Sequence, residues 1–440
     1  MFAGERVLVI GSGLSGQGAM DFLATEGAKT VCYNSNEELP LKVEEQVEKV
    51  IVSPGVPLDA PMVQRLRKRG IPVIGEMELA FRADKGRVIA ITGTNGKTTT
   101  TSLVGQIMKA HLGEDRTFVV GNIGRPYTME VKKTAADTVT VAEISSFQLE
   151  STDTFCPYVS AVLNITPDHL DRHHTMEAYT AAKERIMANQ TEDQYCVLNY
   201  DNEATRDMLC RCQAKPLCFS AEQELWNGYF LRGGMIVKSE EGRATELLDT
   251  RLDMKLKGRC NAENVMAAIA IADAMKVPWA TTLGVIREFA PVEHRIEYVA
   301  TVAGVDYYND SKATNPDAAI QGIRAMDRKT VLIAGGYDKE NSYDDWIESF
   351  EGKVKWLVLM GQTREKIAEC AAGHGIQNIR FADTFEEAFL SAAQLSKEGD
   401  AVLLSPACAS FGMFKDYEER GRCFKEYVRR IYGSTEKQKA

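Results

Sequence analysis

The segment GRVIAITGTNGKTTTTSLVGQIM, residues 86–108, joins a short apolar run, a glycine-containing loop and a longer, partly apolar stretch. The apolar run Val88–Ile91 predicts a buried strand, and the residues from Lys97 onward predict a helix. Backbone N–H groups of such a loop surround phosphates, the lysine ammonium neutralises them, and the hydroxyl of Thr98 can bind Mg²⁺. We therefore predict an ATP site on a strand–loop–helix unit of an α/β protein.

This loop is shorter than the usual phosphate-binding pattern. The pattern G-x-x-x-x-G-K-[ST] requires a glycine at position 91, where the chain has Ile91, and the first glycine is Gly93 instead. A lysine that is merely solvated at the start of a helix is the alternative interpretation. The residues expected to contact ATP are Gly93, Thr94, Asn95, Gly96, Lys97, Thr98 and Thr99.

A second glycine turn lies near the N-terminus, in VLVIGSGLSGQGAMDF, residues 7–22. Its G-x-G-x-x-G spacing follows an apolar run and precedes a predicted helix over 17–25, which is the context of a diphosphate site. An NAD site also requires an acidic residue about 20 positions further on. Residues 34–36 are Asn-Ser-Asn, and the first acid is Glu37. The sequence thus favours another phosphate-bearing ligand over NAD, and a purely structural turn remains an alternative.

Bulk properties limit the class of protein. A length of 440 residues predicts two or three domains, and the formal net charge of −10 argues against a nucleic-acid or membrane partner. The N-terminus does not resemble a signal peptide and no apolar stretch of 18 residues occurs, so we expect a cytoplasmic protein. The ten cysteines are scattered as reduced thiols would be, without two pairs at structural-zinc spacing.

Strand-like runs alternate with helical patterns along most of the chain, which predicts mainly parallel sheets covered by helices. Turn-prone stretches, FRADKGRV and EFAPVEHRIEYV, suggest boundaries that give domains 1–86, 87–291 and 292–440. Short strands around glycine turns over 228–248 predict an antiparallel addition to the middle domain.

Further helices and strands are predicted along the rest of the chain. A helix is expected over 175–190, where a lysine such as Lys183 is usually solvated, and GRCNAENVMAA leads into another helix with Asn261 and Asn264 on one face. Three strands of the last domain are expected to end near Asn309, Ala334 and Leu404. Pro316 suits the first turn of the helix that follows the first of these strands, with Asn315 as its cap.

Candidate Mg²⁺ ligands follow two predicted strands of the middle domain. One strand ends in Glu143, and Asp168, His169 and Asp171 follow another. Carboxylates in these positions are often helix caps or solvated groups instead. Because both sets lie where parallel sheets bind ligands, beyond the carboxyl ends of strands, we expect a metal site there.

Ordered motifs along nearly the whole chain resemble those of the Mur ligase family, the ATP-dependent amide-forming ligases of peptidoglycan precursor synthesis. The resemblance implies a Rossmann-like UDP-binding domain, a central P-loop-type ATP-binding domain and a C-terminal Rossmann-like domain. It also implies that the first glycine turn faces UDP and not NAD. The motifs are GTNGKTTT (93–100), GNIG (121–124), EISSFQLE (143–150), NITPDHLDRH (164–173), YTAAKERI (179–186), GRCNAENVMAA (258–268), HR (294–295), NDSKATNPDA (309–318) and LSPACASF (404–411).

The likeness is strongest to family members that add glutamate, because of NDSKATNP, SPACASF and FKDYEERG and the lack of a D-N-P-R motif. It implies a monomer that joins D-glutamate to UDP-N-acetylmuramoyl-L-alanine through an acyl phosphate. An L-alanine-adding ligase or a folylpolyglutamate synthase is the nearest alternative. An NAD oxidoreductase joined to an ATPase, or a nucleotide sensor without chemistry, would be a different class.

The resemblance assigns roles to individual residues. It implies two Mg²⁺ ions, with Mn²⁺ as an alternative, and a catalytic set of Lys97, Glu143, His169 and Lys183. The metal ligands would be Thr98, Glu143, His169 and a carbamylated Lys183. Further ATP contacts would be Asn264, Arg295, Asp310 and Lys312. The UDP-substrate contacts would be Leu14, Ser15, Asn34, Ser35, Asn36, Ser53, Gly55, Asn122 and Gln148. The glutamate contacts would be Thr314, Lys339, Ser410, Phe411 and Tyr417. Asn34 and Cys260 depart from the Asp and His that relatives often carry.

Overall fold

The structure is a computed structural model that describes residues 2–35, 37, 39–256, 258–290 and 293–439. The expected substrate contact Asn36 and the expected domain boundary at 291/292 lie outside the described residues. Among the helices within those ranges, none is long and apolar enough to cross a membrane.

The N-terminal part of the chain forms a four-stranded parallel sheet in the order β2-β1-β3-β4. Its first helix begins at Leu14, three residues before the expected start, because Gly13 is the residue that caps the helix and Gly16 lies within it. The strands are β1 (Arg6–Ile10), β2 (Lys29–Tyr33), β3 (Lys49–Val52) and β4 (Val73–Gly75), and the helices are α1 (Leu14–Thr25), α2 (Leu41–Glu44), α3 (Pro61–Lys68) and α4 (Glu76–Phe81).

The middle part forms a nine-stranded sheet in the order β13-β12-β11-β10-β9-β8-β5-β7-β6. Its strands are β5 (Arg87–Thr92), β6 (Thr117–Gly121), β7 (Val139–Glu143), β8 (Val159–Val162), β9 (Tyr195–Asn199), β10 (Lys215–Ser220), β11 (Gly228–Arg232), β12 (Met235–Glu240) and β13 (Arg243–Asp249). Its helices are α5 (Lys97–Leu112), α6 (Tyr127–Glu130), α7 (Ser146–Leu149), α8 (Leu170–His173), α9 (Met176–Glu184), α10 (Glu203–Asp207), α11 (Arg259–Ala274) and α12 (Trp279–Glu288).

The expected antiparallel addition is confirmed: β11, β12 and β13 pair antiparallel and extend the parallel part of the sheet. The helix expected over 175–190 is shorter. It ends as α9 at Glu184 and tightens into a 3₁₀ turn at Arg185–Met187. Because β5 and β7 are parallel neighbours, their carboxyl ends bring the phosphate loop and Glu143 to one edge of the sheet.

The first two sheets share one hydrophobic core around α4. Met77 and Leu79 of α4 pack in the same cluster as Val9 of β1 and Ala142 of β7. Two buried carboxylates of α4 accept hydrogen bonds from middle-sheet elements. Glu76 Oε1 accepts from the Thr128 N–H and hydroxyl, each at 2.7 Å. Glu78 accepts from backbone N–H groups of Asp153 and Thr154 at 3.0 and 2.9 Å.

The C-terminal part forms a six-stranded sheet in the order β14-β15-β19-β16-β17-β18, parallel except for the β14–β15 pair. Its strands are β14 (Glu297–Val302), β15 (Val305–Asn309), β16 (Thr330–Ala334), β17 (Val354–Leu359), β18 (Ile379–Phe381) and β19 (Ala401–Leu404). Its helices are α13 (Pro316–Arg324), α14 (Asp344–Glu348), α15 (Arg364–Gly373), α16 (Phe385–Leu395) and α17 (Tyr417–Lys439). The expected strand ends at Asn309, Ala334 and Leu404 are confirmed.

The chain divides into two compact units. The first comprises Met1–Ile165, Arg172–Lys255 and Arg259–Phe289, and the second comprises Thr166–Asp171, Leu256–Gly258 and Ala290–Ala440. The expected 86/87 boundary falls inside the first unit, between α4 and β5. The division into domains 1–86, 87–291 and 292–440 stays a prediction.

Candidate active site

The phosphate loop of the first unit turns sharply between β5 and α5. Gly96 occupies the left-handed region with φ of 82°, and a Cβ there would lie 2.2 Å from Asn264 Oδ1. The Lys97 ammonium folds over the loop and donates to the carbonyls of Gly93 and Thr94 at 2.8 and 2.9 Å. The loop therefore has the backbone shape and the cation that phosphate binding requires.

Two asparagines brace this loop from outside it. Asn164 accepts from the Asn95 N–H at 2.8 Å, and its backbone carbonyl accepts from the Thr94 N–H at 2.9 Å. Asn264, on α11, accepts from the Thr100 hydroxyl at 3.3 Å. The expected face of α11 is confirmed, because the Asn264 amide donates to Asn261 Oδ1 at 3.3 Å.

Glu143 ends β7 with its side chain buried, at 2% exposure. Its Oε1 accepts from the Asn122 amide at 2.7 Å, whereas its Oε2 has no hydrogen-bond partner among the described residues. Leaving a buried polar atom without a hydrogen bond costs about 1–3 kcal/mol of folding free energy for a neutral group and more for a charged one. The expected substrate contact Asn122 is thus seen to hold Glu143, whose second oxygen is available to a cation.

Lys183 is also buried, at 1% exposure, on α9. Its Nζ donates to the Gly93 carbonyl at 2.8 Å and to the Thr92 hydroxyl at 3.4 Å, and lies 4.8 Å from the Tyr179 ring. The Tyr179 hydroxyl lies 3.1 Å from Thr94 Oγ1. Lys183 is therefore a buried residue at the phosphate loop and not a solvated lysine on the outer face of its helix.

These residues fit a divalent metal ion. Glu143 Oε2, which has no hydrogen-bond partner in the part of the chain that the structure describes, is the type of hard oxygen donor that Mg²⁺ prefers. Thr98 follows the loop lysine in the first turn of α5. Lys183 fits only as the carbamate, since an ammonium is not a ligand. The fourth expected ligand, His169, belongs to the second unit.

The first glycine turn is equally constrained. A Cβ on Gly16 would lie 1.8 Å from the Gly11 carbonyl oxygen, so only glycine fits there. Ser53 donates to the same carbonyl at 3.3 Å. Asn34 Oδ1 accepts from the Ser12 hydroxyl at 3.0 Å, and its amide donates to Glu37 at 2.8 Å. Asn34 therefore couples the turn to the first acid after β2.

The other expected substrate contacts of the first unit differ in exposure. Leu14 is 73% exposed at the start of α1. Ser15 and Ser35 are half-buried and Gly55 is exposed. Gln148 is buried and its Oε1 accepts from the Ser145 N–H at 2.9 Å, as part of a capping box that begins α7. The side-chain oxygen of Gln148 therefore takes part in the N-terminal cap of α7.

In the second unit, Asp310 follows β15 and is fully buried. It accepts from the Ser405 hydroxyl at 2.8 Å and from the Ile296 N–H at 3.2 Å. Burial raises its pKa to about 6, against the opposing effect of the Arg295 guanidinium and these hydrogen bonds. Two of the expected nucleotide contacts, Asp310 and Arg295, therefore interact electrostatically.

Lys312 and Tyr417 lie together in this unit. The Lys312 Nζ is 3.4 Å from the Tyr417 hydroxyl and 5.2 Å from the ring centroid. Behind them the buried Arg420 donates to the Ser311 backbone carbonyl at 2.8 Å and to the Cys408 carbonyl at 3.2 Å. Burial lowers the pKa of Arg420 to about 10. Arg420 thus joins the loops after β15 and β19.

Segment 166–171 contributes Asp168 and His169 to the second unit. Asp168 Oδ2 accepts from the Asn315 amide at 2.9 Å, and Asp168 Oδ1 lies 3.8 Å from the Lys339 ammonium. His169 Nε2 lies 3.6 Å from Asp168 Oδ2. Lys339 and His169 therefore share one carboxylate. Of the remaining expected glutamate contacts, Thr314 is half-buried, Ser410 is buried and Phe411 is 56% exposed.

Asn164 and Arg420 hold the site loops in the structure but were not predicted from the sequence. Neither follows from a local pattern, since an asparagine or arginine in a loop or helix is usually solvated. Cys260, by contrast, lies in the first turn of α11 as expected, beside the face that carries Asn261 and Asn264.

Comparison with known proteins identifies the family of the chain. Residues 91–272 match the family model described as the Mur ligase middle domain, and residues 294–408 match that of the Mur ligase glutamate ligase domain. A curated UDP-N-acetylmuramoylalanine–D-glutamate ligase of Lachnoclostridium phytofermentans is 51% identical over 97% of this chain and 98% of its own. The chain belongs to the Mur ligase family. This Mur ligase is also 49% identical to the protein of the same name from Lachnospira eligens, over 97% of this chain and 99% of that one.

Solved structures share the fold at low identity. The UDP-N-acetylmuramate-alanine ligase MurC of Thermotoga maritima has a TM-score of 0.62 at 18% identity and covers 97% of this Mur ligase and 99% of itself. MurF of Thermotoga maritima, solved in complex with ADP, has a TM-score of 0.56 at 16% identity, with 100% and 96% coverage. These two likenesses concern the fold alone.

Proposed function

We propose that this Mur ligase joins D-glutamate to UDP-N-acetylmuramoyl-L-alanine at the expense of ATP, releasing ADP and phosphate. The observation that carries the proposal is the phosphate loop, with Lys97 folded over it and the buried Glu143 carboxylate at the same sheet edge. Full-length identity of 51% to a ligase of that name supports the choice of substrates. The product is a peptidoglycan precursor, so the reaction serves cell-wall growth, cell shape and division.

The chemistry begins from a poor electrophile, the free carboxylate of the alanyl residue. Transfer of the γ-phosphoryl group to that carboxylate gives an acyl phosphate, the amine of glutamate attacks its carbonyl carbon, and phosphate leaves. Such steps depend mainly on positioning and on neutralisation of charge. Lys97 and the loop N–H groups would hold the phosphates. Asn264 would lie on the adenine side of the nucleotide. Its side chain also leaves no room for a Cβ at position 96, so the loop requires glycine there.

A bound Mg²⁺, or Mn²⁺ in its place, would neutralise negative charge on the reacting phosphate and carboxylate groups. Thr98, Glu143, His169 and a carbamylated Lys183 would hold two such ions. Carbamylation by CO₂ would give the buried Lys183 side chain an anionic oxygen donor. Asn122 would keep Glu143 oriented through its 2.7 Å hydrogen bond.

The second unit would supply the incoming amino acid site. Lys339 offers the cation for a glutamate carboxylate, with Thr314, Ser410, Phe411 and Tyr417 as further contacts. Asp310, Lys312 and Arg295 would contact the nucleotide. The first glycine turn would bind the uridine diphosphate and not NAD, with Leu14, Ser15, Asn34, Ser35, Ser53 and Gly55 around it and Gln148 toward the alanyl end. We place the reaction in the cytoplasm, with the enzyme as a monomer that has no nucleic-acid or membrane partner.

The test is phosphate release in the presence of ATP, Mg²⁺ and UDP-N-acetylmuramoyl-L-alanine, with each amino acid enantiomer added in turn. We expect release with D-glutamate and its loss by at least about 100-fold in Lys97→Ala, since that ammonium neutralises phosphate. Lys109→Ala is the matched control, because Lys109 lies on the same helix and pairs with the exposed Glu114. Release with another amino acid but with neither glutamate enantiomer would refute the substrate assignment.

The carbamate is tested separately by ¹³C NMR in ¹³CO₂-equilibrated buffer. We expect a carbamate signal in the native protein that Lys183→Ala lacks and Lys215→Ala, altered at an exposed lysine, retains. Short-chain carboxylates are expected to restore activity to Lys183→Ala. A fully active Lys183→Ala protein would refute the role of Lys183.

A further inference from the structure

Three side chains of the second unit converge outside the candidate active site. Asp344 Oδ1 accepts from His374 Nε2 at 3.0 Å and from Cys370 Sγ at 3.5 Å. The three ligand-type atoms all lie within 4.8 Å of one another. In a tetrahedral zinc site with bonds of about 2.0–2.3 Å, ligand atoms lie about 3.3–3.8 Å apart, so this cluster needs little rearrangement to bind an ion.

Two packed helices position these groups. Asp344 is the first residue of α14, and Cys370 and His374 are four residues apart at the end of α15, which places them on one face. Trp346 of α14 and Ala371 of α15 belong to the same buried core cluster. The ligand spacing is therefore fixed by the core and not by mobile side chains alone, which lowers the cost of ordering a site.

Neighbouring groups orient the ligands. Glu348 Oε1 lies 3.9 Å from His374 Nδ1, the ring nitrogen that does not contact Asp344, and needs a small side-chain shift to accept a hydrogen bond from it. A carboxylate at the second ring nitrogen is the usual partner of a metal-bound histidine, since it fixes the tautomer. The Ser342 hydroxyl donates to Asp344 Oδ2 at 2.7 Å and leaves Oδ1 facing Cys370 and His374.

We propose that Asp344, Cys370 and His374 bind one divalent transition-metal ion of the zinc type, with water in the fourth position. A mixed sulfur, nitrogen and oxygen donor set suits Zn²⁺ or Co²⁺ and not Mg²⁺, which prefers oxygen donors. On binding, the thiol proton leaves to solvent and the thiolate donates an electron pair to the ion. The bound ion joins α14 to α15. Paired cysteines at zinc-site spacing do not mark this site, because it uses one cysteine and draws Asp344 from another helix.

Co²⁺ titration of the full chain tests the proposal, since thiolate ligation produces a near-ultraviolet charge-transfer band that oxygen and nitrogen ligands do not. We expect the band to saturate at one ion per chain and to be competed by Zn²⁺. The proposed active-site ligands Thr98, Glu143, His169 and Lys183 include no thiol, so Co²⁺ bound there adds nothing to the band. The measurement needs no ligase activity and is therefore independent of the proposed function.

Variants decide which residues bind the ion. Cys370→Ser should abolish the band, whereas Cys210→Ser should retain it, because Cys210 is exposed and belongs to neither group of metal-ligating side chains found among the described residues. His374→Asn and Glu348→Gln should weaken Co²⁺ binding by about 10-fold or more. If Cys370→Ser does not fold, His374→Asn decides alone. No band in the native protein, or an unchanged affinity in His374→Asn, would overturn the proposal.

Discussion

Asp310→Asn is expected to stabilise the second unit at neutral pH. Burial raises the pKa of the Asp310 carboxyl from the ordinary 3.8 to about 6, so the folded protein resists its ionisation. A group whose pKa is raised by folding contributes stability below its unfolded pKa and loses that contribution as the pH rises through the folded one. The difference corresponds to about 3 kcal/mol at pH 8 and about 1.6 kcal/mol at pH 5. Asparagine has the same shape and can donate to Ser405 while accepting from the Ile296 N–H.

Urea unfolding followed by tryptophan fluorescence measures this effect, because Trp346 is buried in the core of the same unit. The stability gain of the variant over the native chain should grow by roughly 1–1.5 kcal/mol between pH 5 and pH 8. Asp383→Asn, at a side chain 83% exposed, is the control and should show no such trend. A gain that is independent of pH, or a variant less stable at pH 8 than at pH 5 relative to the native chain, would refute the reasoning.

Three further predictions concern single residues. Gly96→Ala should raise the KM for ATP about 10-fold or more. The added Cβ would lie 2.2 Å from Asn264 Oδ1, and an alanine in the left-handed region costs about 1 kcal/mol. The control Gly113→Ala, at a glycine with positive φ but open space around it, should leave the KM unchanged. Asn315→Ala should lower the unfolding free energy of the second unit by about 1 kcal/mol, since its side chain caps α13; a change below about 0.3 kcal/mol would contradict the cap. Burial raises the pKa of Glu76, so Glu76→Gln should become more favourable for stability as the pH rises; calorimetry across pH that shows the reverse trend would contradict this.

Local patterns predicted the elements that depend on local chemistry. Pro316 and Asn315 marked the start of α13, and the structure shows Asn315 accepting from the Ala318 N–H at 2.8 Å. The glycine loop before Lys97 correctly predicted β5 and α5, because few residues other than glycine permit so tight a turn from strand to helix.

Contacts between distant segments were not predictable from local patterns. The sequence predicts a solvated helix lysine at position 183, whereas the structure buries Lys183 and joins it to the Gly93 carbonyl of the phosphate loop. No local pattern marks Glu76 and Glu78 as buried acids, and the hydrogen bonds that stabilise them come from Thr128 and Thr154, which are distant in the sequence. Such pairings depend on the order of the strands in the sheet, and no short segment of the sequence determines that order.

The core shared through α4 has a consequence for how the molecule melts. Helix α4 contributes apolar side chains to the cluster that also contains Val9 and Ala142, so neither of the first two sheets has a complete interior by itself. Scanning calorimetry should record their unfolding as a single cooperative endotherm. A polypeptide shortened to begin at Arg87 would lack part of its own interior and should aggregate when expressed alone.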